Sequence, residues 1–255
     1  MQLPLSHAIA PLLELVPRVG STNAELVARA SGAPHFSVLA TTDQTAGRGR
    51  LGRVWIAPPG KTLAVSVLLA PGDVSLERLG WIPLLAGLAM TRAVAGLVPA
   101  HAVSLKWPND VHIDGLKVSG LLTEYVAGAH AIVVGAGLNL TMNADELPTP
   151  TSTSLTLNGA VDDELLDAAL SAYLGELQNL YTEFAGARFD AAAGLRREVV
   201  RVCSTLGRRV RVELPGGDDL YGSAEDIDGE GRLVVRERGV VHSVAAGDVT
   251  HLRYE

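Results

Sequence analysis

The alternation of apolar and polar positions cuts the chain into short strand-like runs separated by a few helical ones. Residues 63–69, LAVSVLL, are almost continuously apolar, which marks a strand buried on both faces. FSVLATT (36–42), VSLKW (103–107), DVHI (110–113), KVSGLLTEYV (117–126) and AIVVGAGLNL (131–140) read as further strands, and Asp114-Gly115 is a hairpin turn signal. Helical spacing appears over 81–97, which is largely small and apolar. It returns over 162–184, where Leu166, Leu170, Tyr173, Leu177, Leu180 and Phe184 recur every three to four residues behind an acidic start. A further helix is predicted over 188–204, and a short one over 5–16, ended by Pro17. Ser21-Thr22-Asn23 opens a helix over roughly 23–31, with Thr22 and Glu25 at capping-box spacing and Gly32 as its stop.

The Pro/Thr/Ser-rich stretch 145–158 is a connector. From Arg208 the pattern changes to short strands broken by PGGDD, DGEG and ERG, which predicts a small β-barrel. Strands outnumber helices and hairpins recur, so the expected class is α+β, with a main domain over 1–205 and a small one over 206–255. No internal repeat is visible.

At 255 residues and 47% hydrophobic, the chain can fill one good core plus a smaller one. A formal net charge of −7 argues against non-specific binding to nucleic acid or an anionic membrane. One cysteine, Cys203, rules out an intramolecular disulfide and disfavours a thiolate metal site. The N-terminus lacks a basic leader and no apolar run is long enough to span a bilayer, so a cytoplasmic location is expected. Only Lys61, Lys106 and Lys117 are lysines, against 18 arginines.

The most unusual stretch is GRGRLGRVW (47–55), in which glycines and arginines interleave before a tryptophan. Glycine lets backbone approach a ligand closely. Clustered guanidinium forks suit phosphate and carboxylate oxygens. Gly47 to Gly52 formally spells G-x-G-x-x-G, but that fingerprint needs a helix directly behind it, and Ile56-Ala57-Pro58-Pro59-Gly60 cannot begin one. Gly60-Lys61-Thr62 imitates the end of a phosphate-binding loop, yet the glycine required earlier is Trp55. The segment reads instead as a loop that closes over an anionic ligand. Residues 45–54 hold only two aliphatics larger than alanine, Leu51 and Val54, so the loop is expected to order on binding.

Read together, Gly20-Ser21-Thr22-Asn23, Gln44, GRGRLGRVW, KWPND (106–110), Lys117-Val118-Ser119-Gly120 and GAGLN (135–139) resemble the biotin–protein ligase family across nearly the whole chain. The resemblance implies a mixed sheet with helices, related to class II aminoacyl-tRNA synthetases, followed by an SH3-like β-barrel. It implies a two-step reaction with Mg2+: biotin and ATP give biotinyl-5′-AMP, and the acyl group passes to a lysine of a biotin carboxyl carrier domain.

By match to the family pattern, Ser21, Thr22, Asn23 and Gln44 would bind the ureido ring, with Gly47, Gly49 and Gly120 giving close backbone approach. Arg48 and Arg50 would bind both biotin and the adenylate, with Arg48 also catalytic, Arg53 would face the adenylate, and Lys117 the biotin carboxylate and bridging phosphate oxygens. Asn109 and Asp110 would serve the nucleotide and metal or assist the incoming amine. Trp55 would fold over the adenine, Trp107 is either core or an adenine neighbour, and Asn139 would belong to the nucleotide site. The residue chemistry agrees, because joining a carboxylate to a phosphate requires positive charge between two anions.

Bifunctional members carry a DNA-binding domain before the Ser-Thr-Asn motif; with 20 residues ahead of Ser21, the expectation here is the monofunctional type, without DNA binding. A lipoate or octanoyl ligase of the same fold is the alternative enzyme, lacking the Gly-Arg loop as written here. Monomer and weak homodimer both remain open.

Overall fold

The computed structural model describes residues 2–72, 74–161, 164–214 and 216–252. The elements are α1 (Pro4–Ile9), β1 (Leu13–Leu15), α2 (Thr22–Arg29), β2 (Val38–Thr41), β3 (Gly47–Arg48), β4 (Val54–Trp55), β5 (Thr62–Leu69), α3 (Leu76–Leu79) and α4 (Ile82–Leu97). Then follow β6 (Val103–Lys106), β7 (Asp110–Ile113), β8 (Leu116–Val126), β9 (Ala131–Asn139), α5 (Leu165–Gly186) and α6 (Leu195–Val202). The C-terminal strands are β10 (Arg209–Glu213), β11 (Asp219–Ile227), β12 (Leu233–Glu237), β13 (Val240–Val244) and β14 (Asp248–His251).

Seven strands make one mixed sheet in the order β1-β2-β5-β9-β8-β7-β6, parallel only at β1–β2. The architecture is α+β, as the pattern predicts. In β9 the alternation sorts the two faces. Ile132, Val134, Ala136 and Leu138 join the main core with α4, over which α5 is stacked, while Ala131 and Val133 pack under α2 with Leu26, Ala30 and Leu68. Continuing along the α2 face come Gly135 and Gly137, whose missing side chains leave room for Asn23 and Trp55 to lie against the strand.

Four expectations change. Residues 5–16 are not one helix: α1 stops at Ile9, because Pro11 disfavours helical geometry at Ala10, and Leu13–Leu15 pair with Val38–Ala40 instead. The cap of α2 is Ser21 rather than Thr22, and Glu25 bonds Arg29 on the next turn instead of reaching back. The helix predicted over 188–204 is only Leu195–Val202, since Arg188 and Phe189 take positive φ and Gly194 has φ 155°. The helix predicted from 162 begins at Leu165; residues 162 and 163 lie outside the described residues.

The C-terminal strands form an antiparallel sheet in the order β13-β12-β11-β10-β14. This is consistent with the expected small SH3-like domain, although among the described residues no ladder joins β13 to β14 to close a barrel; Pro215 of the PGGDD turn and residues 253–255 are outside the description. Its DGEG turn is locked against the main domain. Trp81 Nε1 donates to Gly229 O at 2.8 Å and Trp107 Nε1 to Gly231 O at 3.1 Å, and a Cβ on Gly80 would sit 2.7 Å from Glu230 O. Arg196 adds an ion pair to Asp226 and a hydrogen bond to Ile227 O. Among the described residues one helical stretch, Leu76–Leu97, is long and apolar enough to cross a bilayer, and most of it is buried inside this core.

Candidate active site

The glycine floor of β9 opens into a pocket on the α2 face of the sheet. Gly120, Leu121 and Leu122 of β8 with Gly135, Ala136 and Gly137 of β9 form its base. Ser21, Thr22 and Asn23 close one end, and Asn109, Asp110 and Lys117 the other. The loop from Gln44 to Trp55 covers it, and Asp248 reaches in from the C-terminal sheet.

The first end is a cluster of hydroxyl and amide groups, backed by the Glu124 carboxylate. Ser21 caps α2, so the next two side chains project from the first turn onto the sheet. Thr22 donates to Gln44 Oε1 through its backbone N–H at 2.7 Å and its hydroxyl at 3.0 Å. Asn23 Nδ2 donates to Leu122 O and to Glu124 Oε2, while its Oδ1 lies 2.6 Å from buried Ser66 Oγ. Asn23 fits because residue 135 is glycine: a Cβ there would fall well inside the contact distance of Asn23 Oδ1. Likewise a Cβ on Gly137 would be 2.9 Å from the Trp55 indole.

The other end is cationic. Lys117 Nζ lies 2.7 Å from Asp110 Oδ1, and Arg50 Nη1 is 3.0 Å from Asn109 Oδ1, whose own Nδ2 is fixed to Leu121 O. Arg50 also reaches Gly247 O, and Arg53 is ion-paired with Asp248. Arg48 is exposed at the mouth with no ion-pair partner among the described residues. Burial lowers the Lys106 pKa, with Lys117 and Arg53 pushing the same way and Asp110 opposing. Burial also lowers Arg50, and it lowers His112 behind Asp110. Desolvation is the leading cause in all three, and Asp110 is the largest charge acting on each, opposing the shift.

The loop has two faces. Arg50 and Trp55 are part-buried against the pocket, Arg53 and Val54 line its rim while largely exposed, and Leu51 and Ile56, 60% and 74% exposed, do not line it. Its ties are polar and come mostly from Asn109 and the C-terminal sheet, in keeping with its poor apolar content.

Of the residues expected from sequence, Ser21, Thr22, Asn23, Gln44, Arg48, Gly49, Arg50, Arg53, Trp55, Asn109, Asp110, Lys117 and Gly120 line this one pocket. Three do not. Gly47 sits behind it, pressed between Gln44 and Trp55. Trp107 is 2% exposed and committed to Gly231, so its alternative as an adenine neighbour gives way to the core. Asn139 is buried with Nδ2 on Thr153 O. The sequence reading missed Asp248, Ser66 and Glu124, and it missed Gly135 and Gly137 as floor. The two glycines were legible as a same-face pair in AIVVGAGLN; the other three carry no local signal.

Such a pocket suits a ligand with a neutral, hydrogen-bonding head and an anionic tail. The known proteins agree. Residues 15–139 match the biotin/lipoate A/B protein ligase family, and residues 205–252 match the biotin protein ligase C-terminal domain. The chain is 41% identical over 245 residues to the biotin–[acetyl-CoA-carboxylase] ligase of Mycobacterium tuberculosis, covering 94% of this chain and 89% of that one. Among solved structures it resembles the biotin protein ligase of Aquifex aeolicus in complex with biotin and ATP, at 25% identity and TM-score 0.77, covering 95% and 99% of the two chains. The Leishmania major biotin protein ligase in complex with biotinyl-5-AMP is also similar, at 25% identity and TM-score 0.58, covering 92% and 98%.

Proposed function

This chain belongs to the biotin/lipoate A/B protein ligase family, and from that premise we propose that it activates biotin with ATP and transfers it to a lysine of a biotin carboxyl carrier domain. The observation that carries this reading is one pocket with a neutral polar end at Thr22, Asn23 and Gln44 and a cationic end at Lys117, Arg48 and Arg50.

Biotin's ureido ring offers N–H donors and a carbonyl acceptor, which match amide and hydroxyl groups rather than charges. Its carboxylate then points toward Lys117. In the first step a carboxylate oxygen attacks the α-phosphorus of ATP and pyrophosphate leaves. Both partners are anionic, so the step needs fixed positive charge where they meet. Lys117 supplies a compact ammonium there, and Arg48 has no counter-ion among the described residues to surrender first. Arg50, anchored by Asn109, comes already positioned for a phosphate oxygen.

In the second step the neutral amine of the carrier lysine attacks the acyl carbon and AMP leaves. The amine must shed a proton, and Asp110, beside Lys117, is the carboxylate at that end suited to accept it. Trp55, stacked over Gly137, keeps water from the mixed anhydride.

Mg2+ takes oxygen ligands, keeps several waters and usually arrives with the substrate's phosphates. The donor set fits that habit: Asp110 is a carboxylate oxygen donor at the phosphate end, and no group of three or more acids, histidines or cysteines exists among the described residues to trap the ion by itself. Asp110 would hold it, and the ion would neutralise triphosphate charge. A cytoplasmic location agrees with ATP and a carrier domain as the proposed substrates. A single chain carries every group invoked, so the reaction requires no second copy, and a monomer or weak homodimer serves.

Biotin-dependent ATP–pyrophosphate exchange, with lipoate as control, tests the reading. Exchange with biotin alone is expected; exchange with lipoate alone would move the chain to the lipoate branch.

A further inference from the structure

Asn23 is held more firmly than a ligand-binding amide needs to be for folding. Its two N–H groups are both used, one on Leu122 O at 3.1 Å and one on Glu124 Oε2 at 2.7 Å. Its oxygen takes a hydrogen bond from Ser66, which is fully buried. Flipping the amide would set its oxygen against a carbonyl and a carboxylate at once. The orientation is thereby fixed by its surroundings.

Proton counting extends the argument. Ser66 has one hydroxyl hydrogen, committed to Asn23 Oδ1 across the shorter contact, so Thr22 Oγ1 must be a donor toward Ser66 or Gln44. Gln44 Oε1 accepts from the Thr22 N–H, and the Gln44 amide nitrogen lies beside Gly47. What the cluster offers a ligand is the second lone pair of Asn23 Oδ1, an acceptor suited to a ring N–H of a cyclic urea.

Glu124 is the odd member. It is half-buried on β8, carries no ion pair among the described residues, and its recorded side-chain partner is the Asn23 amide. A carboxylate kept in part from water with only a neutral partner costs desolvation. In exchange it gives a charge-assisted bond, about twice as strong as a neutral one.

We propose that Glu124 is a positioning residue for ureido recognition: through its bond to Nδ2 it aims Asn23 Oδ1 at a ring N–H, and so sets the preference for biotin over acyl acids without such a group. This rests on the biotin-ligase reading above. Sites built to hydrogen-bond a substrate group reject analogues lacking it far more strongly than apolar pockets reject a size change. That holds only while the acceptor is aimed.

The test compares Glu124→Leu, which removes the acceptor at similar volume, with Glu124→Gln, which keeps a neutral one. Steady-state exchange should show KM for biotin raised about tenfold in Glu124→Leu, with kcat and the KM for ATP within about twofold of wild type. Glu124→Gln should stay within about threefold, and the biotin-to-lipoate ratio of kcat/KM should narrow only in Glu124→Leu. An unchanged biotin KM in a folded Glu124→Leu protein overturns the proposal, as does an equal loss across biotin, ATP and kcat, which marks a merely structural role. Should Glu124→Leu fail to fold, Ser66→Ala, which frees the other end of the same amide, must give the same biotin-specific rise. Wild-type protein inactive toward biotin would instead overturn the functional reading itself.

Discussion

Arg53 of the Gly-Arg loop is ion-paired with Asp248 of the C-terminal sheet, so the covering loop is fastened to the far end of the chain. Arg53 is largely exposed and Asp248 less so, which makes the pair worth only about 0.2–1 kcal/mol. That is a weak tie, well suited to be exchanged for a phosphate. Trypsin should cut after Arg48, Arg50 and Arg53 readily in the free protein and slowly with biotin plus ATP. Asp248→Asn should speed the ligand-free cleavage by up to about fivefold. Cleavage that ignores both ligand and substitution would remove the loop as a closing element.

Lys117→Ala should slow adenylate formation by about 10²–10³, the usual loss when one preorganised charge-stabilising donor is removed. Lys117 is part-exposed and its charge partner is Asp110 at the pocket, so the melting curve should stay close to wild type. Single-turnover measurement of biotinyl-AMP gives the rate, and a near-normal value would exclude the assigned role.

Gly135→Ala places a methyl group against Asn23 Oδ1, and Asn23 is held on three sides. The expected cost is about 1–3 kcal/mol of stability, together with lost biotin affinity, read by urea unfolding and calorimetry. Gly128→Ala, where a Cβ meets nothing, is the matched control.

Trp107→Phe deletes the N–H that reaches Gly231 O. It should lower stability by about 1–3 kcal/mol and leave the KM for ATP unchanged. A selective rise in that KM would return Trp107 to the nucleotide site.

His251 has its pKa pushed down to about 4 by burial, with Lys106, His112 and Arg208 adding repulsion, while its Nε2 lies 3.3 Å from Thr205 Oγ1. The fold therefore favours the neutral ring. Its contribution is complete above the ordinary value of 6.5 and is lost as pH falls from there toward about 4. Urea midpoints should drop between pH 7 and pH 5, and His251→Gln should flatten that dependence.

The motifs on the loop, at KWPND and around Lys117 were readable because phosphate chemistry demands rare residue types at close spacing. The two-sided burial of β5 and the α+β class followed from periodicity alone. Glu124, Ser66 and Asp248 were not readable, since each is an ordinary strand residue until the sheet brings it beside Asn23 or Arg53. Trp107 was ambiguous for the same reason. Its neighbour in KWPND, Asn109, faces the pocket, whereas its own indole faces a turn more than a hundred residues later. The helix over 5–16 failed at Pro11, where a local signal was overlooked rather than absent.

The seating of Trp81 and Trp107 on Gly229 and Gly231 also orders events in time on the ribosome. Both indole N–H groups, and the Gly80 face beside them, are synthesised long before the turn that accepts them. Until residue 231 has left the exit tunnel, the two indole N–H groups have only water to bond, and the loop has no Asp248 to hold it. A chain that terminates before residue 229 therefore leaves both indoles without their protein acceptors and the covering loop without Asp248.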